Sequence, residues 1–426
     1  MSAERQKITV GMRWPFACAV LLASGLLGSC IGSHSSSAGA VPPVPAINTV
    51  AVSIDTGPAA AGGAINHAYV TVRVCAPGST TQCATIDHVL LDTGSWGLRL
   101  VRSILAANAI ALTAETDGQG NTIEECASFG SGQTWGPVAA ADIYLAGEIA
   151  AQVPVQILDD TNSGAPPPAT CGGSGTLVNS VTDWAANGVL GVGVFGADCG
   201  VACIGAATPL AIYFGCAAGG ACTPENVALS AQVTNPATLF AADNNGLIIN
   251  MPNLQNANGD MSVQGELVFG LGTQADNSLP VTGLILLGAD ANGDFAAHYN
   301  GTGLSYPALI DSGTDSYLFN DPAIAICTSA AWVGYYCPAG APQSLSAVNM
   351  SAQSTAAIIP ANSSTIDFAV SDPNSFVANA AAYAGHAGGS GATTFTWGLP
   401  FFFGRPVYIG FEARSADSYT GPYYAY

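Results

Sequence analysis

The chain has 426 residues, which at about 150 per domain allows two or three domains and a core that needs no metal to hold it. Eight Lys+Arg against 28 Asp+Glu give a formal charge of −20, which repels phosphate backbones and argues against nucleic acid as a partner. With 8% charged and 49% hydrophobic residues it is no disordered acidic tail, and 51 Gly and 25 Pro without a period suit a turn-rich β protein rather than collagen.

Arg5, Lys7 and Arg13 open the chain, and Trp14 to Leu27 follows as an apolar run too short to span a bilayer comfortably. The run closes on Leu27-Gly28-Ser29-Cys30, which resembles a bacterial lipobox. That resemblance implies a leader over residues 1–30 and a lipid on Cys30; an ordinary secretory cut nearby is the alternative, and either route exports the chain. Ile31 at the next position resembles outer-membrane-sorted lipoproteins, which implies the periplasmic side or the cell surface, with free secretion as the alternative. Acyl chains at roughly 0.8 kcal/mol per buried CH₂ would then be the sole membrane contact. Taking Glu4 from the 28 acids and Arg5, Lys7 and Arg13 from the 8 bases leaves 27 against 5, a net −22 with no lysine. Such a chain repels itself less as carboxylates protonate and suits acid, although scarce lysine is equally a habit of genome composition.

Residues 31–47, rich in Ser, Ala and Pro, form a flexible tether. From Asn48 short β-rich runs begin: Val50 to Ile54, Ala68 to Val74 and Val89 to Leu91, with turn signals such as Asp117-Gly118, Asp243 to Gly246 and Asn258-Gly259 along the chain. Helical periodicity is sparse, and Val101 to Ala114 is its best candidate in the first half. Of the 12 Cys, Cys18 falls in the leader and Cys30 takes the lipid, so ten remain for an oxidising compartment. Proximity suggests Cys75–Cys83, Cys199–Cys203, Cys216–Cys222 and Cys327–Cys337, leaving Cys126–Cys171. Zinc is the rival, but there is no CxxC pair and none of the five His joins a cysteine cluster, so no metal site is expected.

Leu90-Leu91-Asp92-Thr93-Gly94-Ser95 recurs 219 positions on as Leu309-Ile310-Asp311-Ser312-Gly313-Thr314. Each copy carries an Asp from an apolar strand into a turn where Gly permits close backbone approach and the flanking hydroxyls can reach the carboxylate. One such string is common; two, one in each half, are a constellation. Further along come Phe129-Gly130-Ser131-Gly132-Gln133-Thr134-Trp135-Gly136, Gly188 to Gly193 (GVLGVG), Gly265 to Gly270 (GELVFG) and Trp397-Gly398-Leu399 through Glu412.

Together these strings resemble the pepsin-like aspartic proteases, from about Asn48 to Tyr426, and the whole is similar to an uncharacterised bacterial family of exported proteins with that pattern. The resemblance implies a mainly β, bilobal fold with a cleft between lobes at 48–245 and 246–426. It implies Asp92 and Asp311 as a catalytic pair, with Ser95 and Thr314 supporting the carboxylates. Thr93 and Ser312 would lock the loops together, with Gly94 and Gly313 between. Phe129, Gly130, Ser131 and Gly132 would be a flap over an extended peptide, with apolar side chains near Phe129, Trp135 and Leu399. Phe129 stands where the family has tyrosine, Arg99 near an expected indole whose space Trp135 would fill, and Leu399 where an acid is often found. No Lys-rich prosegment lies between Cys30 and Thr49.

Competing patterns are weaker. Gly191 to Gly196 satisfies G-x-G-x-x-G, but the next residues read as a loop between Cys199 and Cys203 rather than a helix. Asp290, Asn292 and Asp294 alternate like part of a calcium loop, yet Phe295 takes the glycine position and no Glu closes it, which favours a plain turn. A G-x-S-x-G elbow is absent. Two carboxylates brought together cannot both ionise cheaply, so one keeps its proton while the other activates a water for attack on a peptide carbonyl, with no cofactor or metal. A monomeric endopeptidase is the first expectation. The second is a pepsin-fold peptide-binding or structural surface lipoprotein that cleaves weakly or not at all, and an adhesin or carbohydrate binder on the same scaffold is a third.

Overall fold

The computed structural model describes residues 48–171, 176–256, 258–352, 362–389 and 391–426. All of these fall within one compact unit, Ala46–Tyr426. The leader, the tether and Cys30 lie outside the described residues. The chain is mainly β, as its short β-branched runs require: two large sheets of 15 and 7 strands, with two small hairpins beside them. Along Ala68–Cys75 and Ser363–Val370 buried and exposed residues alternate, the period-2 signature of a strand with one face on the core. Strands buried along most of their length, such as Gly188–Val192, are unbroken apolar runs.

The large sheet joins distant parts of the chain. Thr49–Ile54 pairs antiparallel with Val263–Phe269, Thr49 opposite Val268, and Val263–Phe269 continues to Gly246–Asn250, then Pro406–Gly410 and the terminal Tyr423–Ala425. The seven-stranded sheet runs in the order Ser363–Val370, Gln343–Met350, Phe295–Tyr299, Leu304–Ile310, Phe395–Trp397, Tyr317–Leu318, Ala387–Gly388. Between its strands packs an aromatic core of Tyr299, Phe319, Phe368, Phe395 and Trp397, with ring centroids 4.7 to 6.4 Å apart. Buried rings of this size remove about 150–250 Å² each from water and supply much of the stabilisation here.

One arrangement occurs twice. Cys83–Asp92 lies parallel to Gly188–Val192, with Gly191 opposite Asp92, and Trp96–Val101 returns antiparallel on the far side of that same strand. Leu304–Ile310 lies parallel to Phe395–Trp397, with Ile310 opposite Trp397, and Tyr317–Leu318 returns antiparallel to it. Each unit therefore ends a buried strand in a tight turn beside an apolar partner, and each turn begins with an aspartate.

Helix is scarce. Periodicity suggested one over Val101 to Ala114, but the observed α-helix is only Arg102–Ala107. Asn108 caps it with a side-chain bond to Ile104 O, and Ala109 then adopts a left-handed φ of 55°, which turns Ile110 into the core instead of onto a further helical turn. Five disulfides close, Cys75–Cys83, Cys126–Cys171, Cys199–Cys203, Cys216–Cys222 and Cys327–Cys337, and they fit an oxidising, exported setting. Among the described residues no helix is long and apolar enough to cross a membrane.

Candidate active site

The two aspartate turns face each other. Thr93 Oγ1 donates to Ile310 O at 2.8 Å and accepts from Ser312 N at 2.9 Å, while Ser312 Oγ donates to Leu91 O at 2.7 Å and accepts from Thr93 N at 3.2 Å. Each hydroxyl thus satisfies two backbone groups of the other loop. Both residues are almost fully buried, 1% and 0% exposed, so nothing in solvent competes for these bonds. Glycine follows in each turn because nothing larger fits. A methyl group on Gly94 would stand 2.6 Å from Asp311 Cγ, and one on Gly313 would stand 2.6 Å from Asp92 Oδ1.

That closeness sets the electrostatics. Asp92 accepts from Gly94 N at 2.8 Å and from Ser95 Oγ; Asp311 accepts from Gly313 N at 2.8 Å and from Thr314 Oγ1 at 2.6 Å. The donor sets match; the surroundings do not. Asp92 is 5% exposed and Asp311 half-buried. Burial first, then the Asp311 charge, pushes the Asp92 carboxyl up to about 8, against the pull of the Ser95 and Gly94 bonds. Titration therefore belongs to the two carboxyls together. The backbone behind them is fixed as well, with Gly193 N donating to Ser95 O at 2.9 Å and Leu399 N to Thr314 O at 2.8 Å.

Phe129 opens a two-residue hairpin, paired with Gly132, whose tip residues Gly130 and Ser131 are exposed. Its ring meets Trp184 edge-on at 4.8 Å, and the Arg99 guanidinium lies 5.2 Å from its centroid. Trp135, expected in the cleft beside Phe129, is not there. It is 2% exposed, stacked edge-on with Phe214 at 5.4 Å and donating through Nε1 to Ala165 O at 2.6 Å, in a cluster with Cys126, Cys171 and Cys216. A buried indole must spend its N–H on a partner, and here the partner is the backbone carbonyl of Ala165. Leu399, likewise expected to line the cleft, is completely buried.

Arg99 itself went unrecognised as a structural centre. It is 2% exposed, with Nη2 2.6 Å from Glu125 Oε1 and 3.1 Å from Asp198 Oδ2, and Nη1 donating to Trp96 O at 2.8 Å. Tyr213 donates to Asp198 Oδ1 at 2.6 Å and completes the network. Burial pulls the guanidinium's proton affinity down, and Glu125, Asp198 and Tyr213 around it more than reverse this. The signal was present: an Arg inside the otherwise apolar strand Trp96–Val101, and paired Glu residues ending the strand Thr122–Glu125 ahead of the hairpin.

A family model described as a protein of unknown function (DUF3443) matches residues 44–426. The chain belongs to the DUF3443 family. No curated protein matches it. Among solved structures, this DUF3443 chain is similar to the crystal structure of an aspartic proteinase from Irpex lacteus, at 14% identity and a TM-score of 0.44, over 89% of this chain and 97% of that one.

Proposed function

We propose that this chain is an exported, lipid-anchored aspartic endopeptidase of the pepsin kind, with β lobes at 48–245 and 246–426 and a cleft between them. One observation carries the reading: two Asp turns, interlocked through Thr93 and Ser312, that bring their carboxyls against each other's glycines. Asp311, ionised, takes a proton from a water held between the pair, and the water oxygen bonds to the scissile carbonyl carbon. Asp92 gives its proton to the carbonyl oxygen as that becomes an oxyanion. Collapse of the tetrahedral adduct breaks the C–N bond; the nitrogen takes the proton from Asp311 and the hydroxyl proton returns to Asp92. No cofactor enters. The substrate is an extended peptide beneath the Phe129 hairpin, bound through its main chain.

Hydrolysis of a denatured protein at acid pH, blocked by a statine-type inhibitor, tests this. Activity that survives in Asp92→Asn would move the chemistry elsewhere. Peptide binding without cleavage is the second reading, and it is favoured by the hairpin ring, a phenyl without hydroxyl that is already packed on Arg99 and Trp184. Wild type that cleaves nothing between about pH 3 and pH 7 would establish that reading.

A further inference from the structure

A cavity of about 530 Å³ lies against the strand Thr122–Glu125. Its walls are that strand, Pro137 at the start of the next, the segment 163–166, and the hairpin closed by Cys216–Cys222. Register sets its floor. Thr122 stands opposite Cys216 and Glu124 opposite Phe214, so Thr122 and Glu124 share one face of the sheet and both line the cavity. Glu124 is 3% exposed, and its Oε2 has no hydrogen-bond partner among the described residues. A carboxyl that deep without a partner is costly unless something arrives to meet it.

We propose that this cavity binds an organic cation, a primary ammonium group on an alkyl chain, with Glu124 as its counter-ion. The charged neighbours leave Glu124 free for that role. Arg102 Nε is 2.9 Å from Asp159 Oδ1, and Asp159 is further bound by Thr161, Ser163 and the Gly164 N–H, so these two neutralise each other. Among the described residues Arg102 forms its ion pair with Asp159 and none with Glu124, although its charge still acts on the Glu124 carboxyl. The remaining lining is Ala, Gly, Pro, Ser, Thr and Cys, uncharged and small enough to admit an alkyl chain. An ammonium carries donors only and matches a carboxylate, which carries acceptors only. The chain's charge of −20 draws cations in, and residues 48–426 contain no lysine of their own to fill the place. Burial holds Glu124 up at about 8, with Arg102 opposing this and Asp159 adding to it. A bound cation favours the ionised form, so binding near neutral pH releases a proton.

The test is calorimetric titration of the folded protein at pH 7 with n-butylamine, in two buffers of different ionisation enthalpy, and with 1-butanol as the neutral control. We expect saturable butylammonium binding with proton release, a loss of roughly tenfold or more in Glu124→Gln, and much weaker binding of butanol. Equal affinity for butanol, undiminished binding in Glu124→Gln, or no binding at about 50 mM amine would overturn the proposal. Should Glu124→Gln fail to fold, the wild-type heat alone decides, because a signal independent of buffer means that no carboxyl ionises.

Discussion

Asp92 and Asp311 receive the same kinds of donor, one backbone N–H and one hydroxyl each, so their difference lies in burial. The Ser95 hydroxyl favours the ionised form of Asp92. Removing it in Ser95→Ala should move the alkaline limb of a peptidase pH profile to higher pH while the acid limb stays; a limb that moves down would refute the assignment of the proton to Asp92. Asn at either aspartate should cost about 10³-fold or more in kcat, and the double variant little more than either single one, because the pair acts as a unit. The two Asp strings were legible in the sequence, since a turn's own chemistry is local. The deeper burial of Asp92 was not, because exposure depends on which chain segments pack over each turn. Glu124 escaped notice for the same reason: an acid at the end of a strand looks solvated until the register puts it on a covered face.

At the scale of the element, the hairpin and the strand beneath it form one device. The Phe129 ring rests on a guanidinium that is itself clamped by Glu125 and Asp198, so the hairpin base is anchored by a buried ion network as well as by the Trp184 indole. Arg99→Leu would leave Glu125 and Asp198 buried against each other, and such losses cost about 3–5 kcal/mol; urea unfolding should show it as a lowered midpoint. Phe129→Tyr keeps the ring on Arg99 and Trp184 and adds a donor, so kcat/KM should hold or rise, whereas Phe129→Ala should lower it about tenfold or more. Loss of turnover in a folded Phe129→Tyr would show that the hairpin does not cover the substrate. Nearby, Cys126–Cys171 spans 45 residues around this hairpin. Chain-entropy arguments give such a loop about 4 kcal/mol, so Cys126→Ala with Cys171→Ala should destabilise by about 2–4 kcal/mol. This bridge was the pair left over once proximity had joined the other eight cysteines, whereas Trp135 was misplaced. Its neighbours Phe214 and Ala165 are remote in sequence, and no local pattern announces them.

Over the whole molecule the buried acids set a direction for stability against pH. Burial raises Asp92 and Glu124 to about 8, Glu225 to about 7 and Asp294 to about 6, each with a carboxylate neighbour adding to it. Unfolded, these groups ionise near pH 4. Between about pH 4 and pH 8 the folded state therefore holds protons that the unfolded chain has released, and stability falls as pH rises through the folded values. The charge of −20 adds self-repulsion in the same direction. Opposed to this are His386, buried and held below its ordinary value, which penalises the fold as pH drops under about 6.5, and Asp117 and Asp159, held low by hydrogen bonds, whose support is lost only below about pH 4. One histidine against several carboxyls leaves the fall dominant. Thermal unfolding at pH 4.5, 6 and 8 should show Tm decreasing across the series, and combining Glu124→Gln with Glu225→Gln should flatten the decrease, because two of the protons no longer depend on folding. A Tm that climbs from pH 4.5 to pH 8 would mean that these carboxyls are ionised in the folded protein, and that the two aspartates share no proton in that range.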